Sequence, residues 1–200
     1  MARAGTPPEP RLTRPPRSAR VFFALWPDDR VRDALHREAR MLHRNCGGRV
    51  MRRENVHLTL VFVGDVAVER LDELRSVAGA IAGHSFELVL DQLGYWRHNR
   101  IVWAAPQSVP GPLREIVTAL ESGLKHAGFG FDQRPYAPHL TLLRDARAPG
   151  VPAPLHLDWP VGDFVLVESA RGPRGAEYLV RARWKLGGYD PVMPAKAGIQ

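Results

Sequence analysis

From residue 20 onward, two rhythms of apolar residues alternate along the chain. Arg20-Val21-Phe22-Phe23-Ala24-Leu25-Trp26 is an almost unbroken apolar run and predicts a buried strand. Pro27 and Asp28-Asp29 end it and open a helix whose apolar stripe is Val31, Leu35, Ala39 and Leu42. A short strand is predicted over 48–52. A longer one spans Asn55 to Gly64, rich in β-branched and apolar residues and closed by the glycine. The spacing of Leu71, Leu74, Ala78 and Ile81 predicts a helix over 66–82. Phe86, Leu88 and Leu90 return to period two in a strand over 85–95, which pairs with Ile101-Val102-Trp103-Ala104 across the turn Arg97-His98-Asn99. Pro110-Gly111-Pro112 starts a second long helix with Leu113, Ile116, Val117, Leu120 and Leu124 on its buried face, and Gly128 closes it. Tyr136 to Arg144 again predicts a strand. A Pro/Gly loop over 149–160 follows, then two strands, 164–169 and 177–182, joined by the hairpin loop 171–175.

The predicted order is strand, helix, strand, helix, hairpin, helix, strand, hairpin. That is not the β-α-β alternation of a doubly wound sheet; it predicts an α+β fold with largely antiparallel strands. One sequence repeats within it. His57-Leu58-Thr59-Leu60 recurs as His139-Leu140-Thr141-Leu142, 82 positions later, in both cases within a predicted strand. Side chains alternate faces along a strand, so each histidine shares a face with its threonine while the leucines point to a core. The duplication suggests two similar lobes meeting at a cleft, each presenting an imidazole and a hydroxyl to it.

Such a pair suits proton transfer. An unperturbed imidazole titrates near 6.5, so one ring can start neutral as a base and the other charged as an acid. Strict alternation from His139 puts Thr141 and Leu143 on the cleft face and Arg144 outside it, so Arg144 reaches the cleft only through a bulge, a strand end or a long reach. The other histidines (36, 43, 84, 98, 126 and 156) read as surface or incidental residues. Arg97 and Arg100 beside Trp96 and Trp103 read equally as an RNA-contact patch and as an ordinary charged turn.

Composition narrows the class. Two hundred residues with 44% hydrophobic content suit one globular domain, and no apolar run is long enough to cross a membrane. Residues 1–19 read as a disordered basic lead and not as a secretory signal, and residues 187–200 read as a flexible tail. The net charge is +7, of which the lead supplies +3 through four arginines against Glu9. The mildly basic body fits a polyanionic partner and equally a plain arginine-heavy composition from a GC-rich genome. The single cysteine, Cys46, excludes an internal disulfide, fits a reducing cytoplasm and weakens any zinc reading.

These residues resemble a known family. The paired His-x-Thr motifs are similar to those of the two-histidine (2H) phosphoesterases, and within them to the LigT-like RNA 2′,3′-cyclic phosphodiesterases, the 2′-5′ RNA ligase family. The resemblance also takes in Arg20 to Leu25, Glu54 to Gly64, Leu93 to Trp96 through Val102-Trp103, and Pro138 to Arg144, and it covers residues 20–186. It implies a single bilobal α+β domain of two mainly antiparallel sheets with outer helices and a central cleft carrying both motifs. It implies metal-independent hydrolysis of a terminal 2′,3′-cyclic phosphate on RNA to a 2′-phosphate, with reversible 2′-5′ ligation, and no cofactor. The roles it implies are His57 as proton donor, His139 as proton acceptor, and Thr59, Thr141 and Arg144 as phosphate-binding groups. The implied partner is RNA with a cyclic phosphate end, tRNA fragments being one candidate, with a cytoplasmic monomer as the default. Two other readings stand beside it: a non-catalytic module that binds RNA ends or nucleotides, and a 2H phosphodiesterase acting on a small cyclic nucleotide or on ADP-ribose 1″,2″-cyclic phosphate.

Overall fold

The computed structural model of the chain describes residues 17–150, 154–172 and 175–188. Its elements run β1 (Ser18–Leu25), α1 (Asp29–Cys46), β2 (Arg49–Val50), β3 (Leu58–Ala67), α2 (Leu71–Gly79), β4 (Phe86–Leu90), β5 (Gln92–Trp96), β6 (Ile101–Ala105), α3 (Gly111–His126), β7 (Leu140–Arg144), β8 (Leu157–Val161), β9 (Asp163–Gly172) and β10 (Gly175–Lys185). Most of the predicted lead, residues 1–16, and the predicted tail from residue 189 lie outside the described residues. β1 itself begins at Ser18, two residues before the expected start.

Eight strands form one sheet, ordered β10-β9-β1-β3-β7-β6-β5 with β2 alongside β7, and β4 and β8 form a second, two-stranded sheet. Every pairing between named strands is antiparallel. The α+β expectation with two antiparallel sheets therefore holds, although the sheets are very unequal. The motif strands do not occupy separate sheets: β3 and β7 are neighbours, joined by the one pair Leu58↔Leu140. Each of these leucines is the first residue of its strand. Two antiparallel strands that meet only at their first residues then run apart in opposite directions. Met51 N–H bonds the Leu142 carbonyl on one side of the junction, and Asp132 N–H bonds the Phe62 carbonyl on the other.

The core explains why the junction is stable. Leu58 and Leu140 are fully buried, in one apolar cluster with Val21, Phe23 and Leu25 of β1 and with the stripes of the helices. Those stripes are the predicted ones: Val31, Leu35, Ala39 and Leu42 on α1, and Leu113, Ile116, Val117, Leu120 and Leu124 on α3. Asp28 caps α1, accepting from Val31 N–H at 2.8 Å. The alternate residues of β1 form a smaller cluster on the opposite side, where Phe22 and Ala24 pack with Val165 and Val167.

Both motif strands begin later than expected, at Leu58 and Leu140, and β9 and β10 extend beyond 164–169 and 177–182; three further differences change the layout. The expected strand 85–95 is two strands, split at Asp91: β4 pairs with β8 and β5 pairs with β6. The expected loop up to Pro160 contains β8, whose Trp159 is buried against β4. Pro160 is tolerated there because β8 has a partner on one side only. The helix expected over 66–82 is shorter, because β3 continues to Ala67 and α2 covers only Leu71–Gly79.

Because the junction rests on two buried leucines, Leu58→Ala should lower stability by about 2–5 kcal/mol. The exposed Leu179→Ala should change it by less than about 0.5 kcal/mol. Denaturant midpoints at constant m-value check both.

Candidate active site

The junction register organises the site. With Leu58 opposite Leu140, the flanking residues His57 and Thr59 of one motif and His139 and Thr141 of the other are brought to the same junction. Both histidines immediately precede their strands, and both make the same hydrogen bond two residues back. His57 Nδ1 donates to the Asn55 carbonyl at 2.7 Å, and His139 Nδ1 donates to the Ala137 carbonyl at 2.8 Å. A carbonyl can only accept, so Nδ1 carries the proton in each ring and Nε2 is left for exchange with a ligand. Asn55 is itself buried and donates through Nδ2 to the Ala176 carbonyl at 2.9 Å, which ties the turn before His57 to β10.

All five predicted site residues come together. His57, Thr59, His139, Thr141 and Arg144 line one pocket of about 290 Å³, along with Arg20, Phe62, Ser169 and Tyr178 among others. A second pocket of about 520 Å³ shares Thr59, Phe62, His139, Thr141 and Arg144 and extends past Trp96, Arg134 and Tyr136. Together they form a groove with the motif residues at its waist. The first pocket has no carboxylate in its lining. A separate cavity of about 410 Å³, by the start of α1, sets Arg32 and Arg183 against Asp28, Asp29 and Asp163, with no histidine.

A bulge resolves the position of Arg144. Across β6 and β7, Val102 pairs with Leu143 and Trp103 with Thr141, so Leu142 is an extra residue. The extra residue inverts the alternation and turns Arg144 to the cleft. β3 has the same irregularity at the same motif position: Phe23 pairs with Val61 and Ala24 with Thr59, leaving Leu60 extra. The motif's second leucine is thus the bulge residue in both copies, and Phe62 and Arg144 occupy equivalent places five residues after their histidines. β2 can lie against Arg144 because residue 48 is glycine, with φ +81° and a Cβ position only 2.5 Å from the Arg144 carbonyl oxygen.

The histidines differ in their surroundings. Phe22 lies 4.9 Å from the His57 ring, Trp26 stacks on it at 5.6 Å, and Tyr178 meets it edge-on at 5.1 Å. This enclosure pushes His57 down to about 4; the bond to Asn55 opposes the shift, while the charges of His139 and Arg144 add to it. His139 is also lowered, first by burial and then by Arg144, against the Ala137 bond. Both rings therefore favour the neutral form at pH 7.

The aromatic enclosure of His57 escaped the sequence reading. Phe22 follows from the alternation of β1, but Tyr178 arrives from β10 and the carbonyl acceptors belong to the backbone, so neither leaves a local signal. Phe23 is a core residue, and Cys46 is buried. In the β5–β6 turn, Arg97 and Arg100 are both exposed, and Arg100 donates to the Asp145 carbonyl.

The chain belongs to the LigT-like phosphoesterase family. The family model matches residues 25–103. An RNA 2′,3′-cyclic phosphodiesterase of Escherichia coli strain K12 is 32% identical over 169 residues, which are 84% of this chain and 96% of the relative. A Thermus thermophilus protein of the same name is 31% identical over 182 residues, 84% of this chain and 91% of the relative. The crystal structure of E. coli LigT in apo form superposes with a TM-score of 0.78 at 32% identity, covering 85% of this chain and 98% of that one. Among the described residues, no helix is long and apolar enough to cross a membrane.

The lowered His57 has a stability consequence. An unfolded imidazole takes up its proton near 6.5, but the folded His57 takes it up only near 4. Folding stability is then complete above 6.5 and declines as pH falls toward 4. The groove keeps the ring partly open to solvent, which screens the effect, so the loss should be on the order of 1–3 kcal/mol. Denaturant midpoints at pH 7 and pH 4.5 should show a smaller drop in His57→Gln than in the wild type.

Proposed function

We propose that this chain hydrolyses the terminal 2′,3′-cyclic phosphodiester of RNA to a 2′-phosphate, with His57 and His139 as its acid and base. The observation that carries the reading is the matched pair of Nδ1-anchored imidazoles lining one pocket with Arg144. His139 Nε2 takes a proton from water as its oxygen attacks phosphorus. The P–O3′ bond breaks, and His57 Nε2 gives its proton to the leaving O3′. The products are a 2′-phosphomonoester and a free 3′-hydroxyl. Each proton transfer is worth about 10²–10⁴ in rate. Thr59, Thr141 and the guanidinium of Arg144 supply donors where charge grows on the phosphate oxygens.

The donor must be charged when chemistry starts. Burial holds His57 well below the usual imidazole range, so at pH 7 its neutral form prevails. A phosphodiester anion entering beside the ring raises its affinity for a proton and partly offsets Arg144, so substrate and proton arrive together. The relatives named RNA 2′,3′-cyclic phosphodiesterase support RNA ends as the substrate class. E. coli LigT has also been crystallised in complex with 3′-AMP, which supports a nucleotide as the ligand class. Every group in the mechanism comes from one chain, which supports action as a monomer. The single, buried Cys46 fits the cytoplasm. Ligation through a 2′-5′ linkage is the same chemistry run backwards, with a 5′-hydroxyl in place of water.

The test is turnover of an oligonucleotide ending in a 2′,3′-cyclic phosphate, with the product resolved as 2′- or 3′-phosphate. A 2′-phosphate is expected, and a 3′-phosphate would reverse the leaving group. His57→Ala and His139→Ala should each lose at least about 10²-fold in kcat, and the rate should persist in chelator. Full activity in the double variant, or tight binding without turnover, would overturn the reading. Faster turnover of mononucleoside cyclic phosphates than of RNA ends would move the substrate class. The kcat/KM optimum should lie below pH 6.5, with the kcat optimum at higher pH, because substrate raises both imidazoles.

A further inference from the structure

His57 is enclosed by three aromatic rings, whereas among the described residues the one ring recorded against His139 is Trp96. It meets the imidazole edge-on, with centroids 4.4 Å apart and planes at 72°. Trp96 is held in turn by Trp103, at 5.5 Å. Trp103 lies flat over Gly94, where an added Cβ would fall 2.1 Å from the indole. Trp103 also pairs with Thr141 of the second motif, so the β5–β6 hairpin is registered to the strand that follows His139. Among the described residues the buried Nε1 of Trp103 has no hydrogen-bond partner, and the ring is placed by its packing on Gly94 and Trp96. Gly94, Trp103 and Trp96 thus form a continuous brace that ends on the imidazole.

We propose that Trp96 is a positioning residue for His139: a braced indole that fixes the plane of the imidazole and keeps water off one side, so that Nε2 stays directed at the groove. The proposal rests on the acid–base reading above. One hydrogen bond at Nδ1 leaves the ring able to swing about that contact, and the edge of Trp96 removes this freedom. The same contact contributes to the burial that lowers His139. Trp96 also faces the larger pocket, so a base-stacking role has to be separated by experiment.

The experiment compares wild type, Trp96→Ala, Trp96→Phe and Gly94→Ala on the cyclic-phosphate oligonucleotide, alongside an NMR titration of the His139 ring in each. In Trp96→Ala, kcat should fall about 10- to 100-fold with KM within about threefold. The pKa of His139 should rise toward 6.5, because water gains access to the charged ring. Trp96→Phe should restore most of both. Gly94→Ala does not line the pocket and displaces Trp103, so it should shift kcat and the titration in the same direction as Trp96→Ala. An unchanged kcat, an unmoved titration, or a rise in KM alone would overturn the proposal, the last by making Trp96 a substrate contact. Absence of turnover in the wild type would instead sink the acid–base reading, while the titration would still report on the brace. Should Trp96→Ala fail to fold, Trp96→Phe and Gly94→Ala carry the test.

Discussion

The site depends on a single antiparallel pair, Leu58 with Leu140. Both leucines are buried in the main core, so the pair is held by hydrophobic burial as well as by the backbone. Because the strands meet at their first residues, the residue before each strand is brought to the same place from opposite directions. The duplicated tetrapeptide is the sequence form of this approximate two-fold relation. The leucines make the junction, and the residues beside them face the groove.

The frame is nearly symmetric, but the chemistry is not. Identical imidazoles with identical backbone anchors differ in what surrounds them. His57 abuts the small apolar cluster of β1, β9 and β10, whereas His139 faces a hairpin and the wider part of the groove. General acid–base catalysis needs two groups with distinct protonation behaviour. Here the two imidazoles differ in the rings around them and not in residue type.

Much of the fold was legible because helix stripes and strand alternation are local. α1 and α3 carry the apolar faces that their spacing predicts. β8 was hidden by Pro160 and by the prolines that precede the strand, and the break at Asp91 by an alternation that continues on either side of it. The histidines and threonines were legible through repetition alone. Arg144 required the bulge at Leu142, which is defined by pairing with a distant strand and so has no signature in its own segment. The rings around His57 converge from β1 and β10 only after folding, as does the contact between Trp96 and His139.

The paired bulges at Leu60 and Leu142 have one more result. They turn residues five past each histidine into the groove, and those residues are Phe62 on one side and Arg144 on the other. A frame that looks the same after a half-turn thus carries different groups at its two equivalent positions: the Phe62 ring, with the Arg20 guanidinium 4.9 Å from its centroid, at one, and the guanidinium of Arg144 itself at the other. Both ends of the groove therefore offer a guanidinium, but only one of them backs it with an aromatic face.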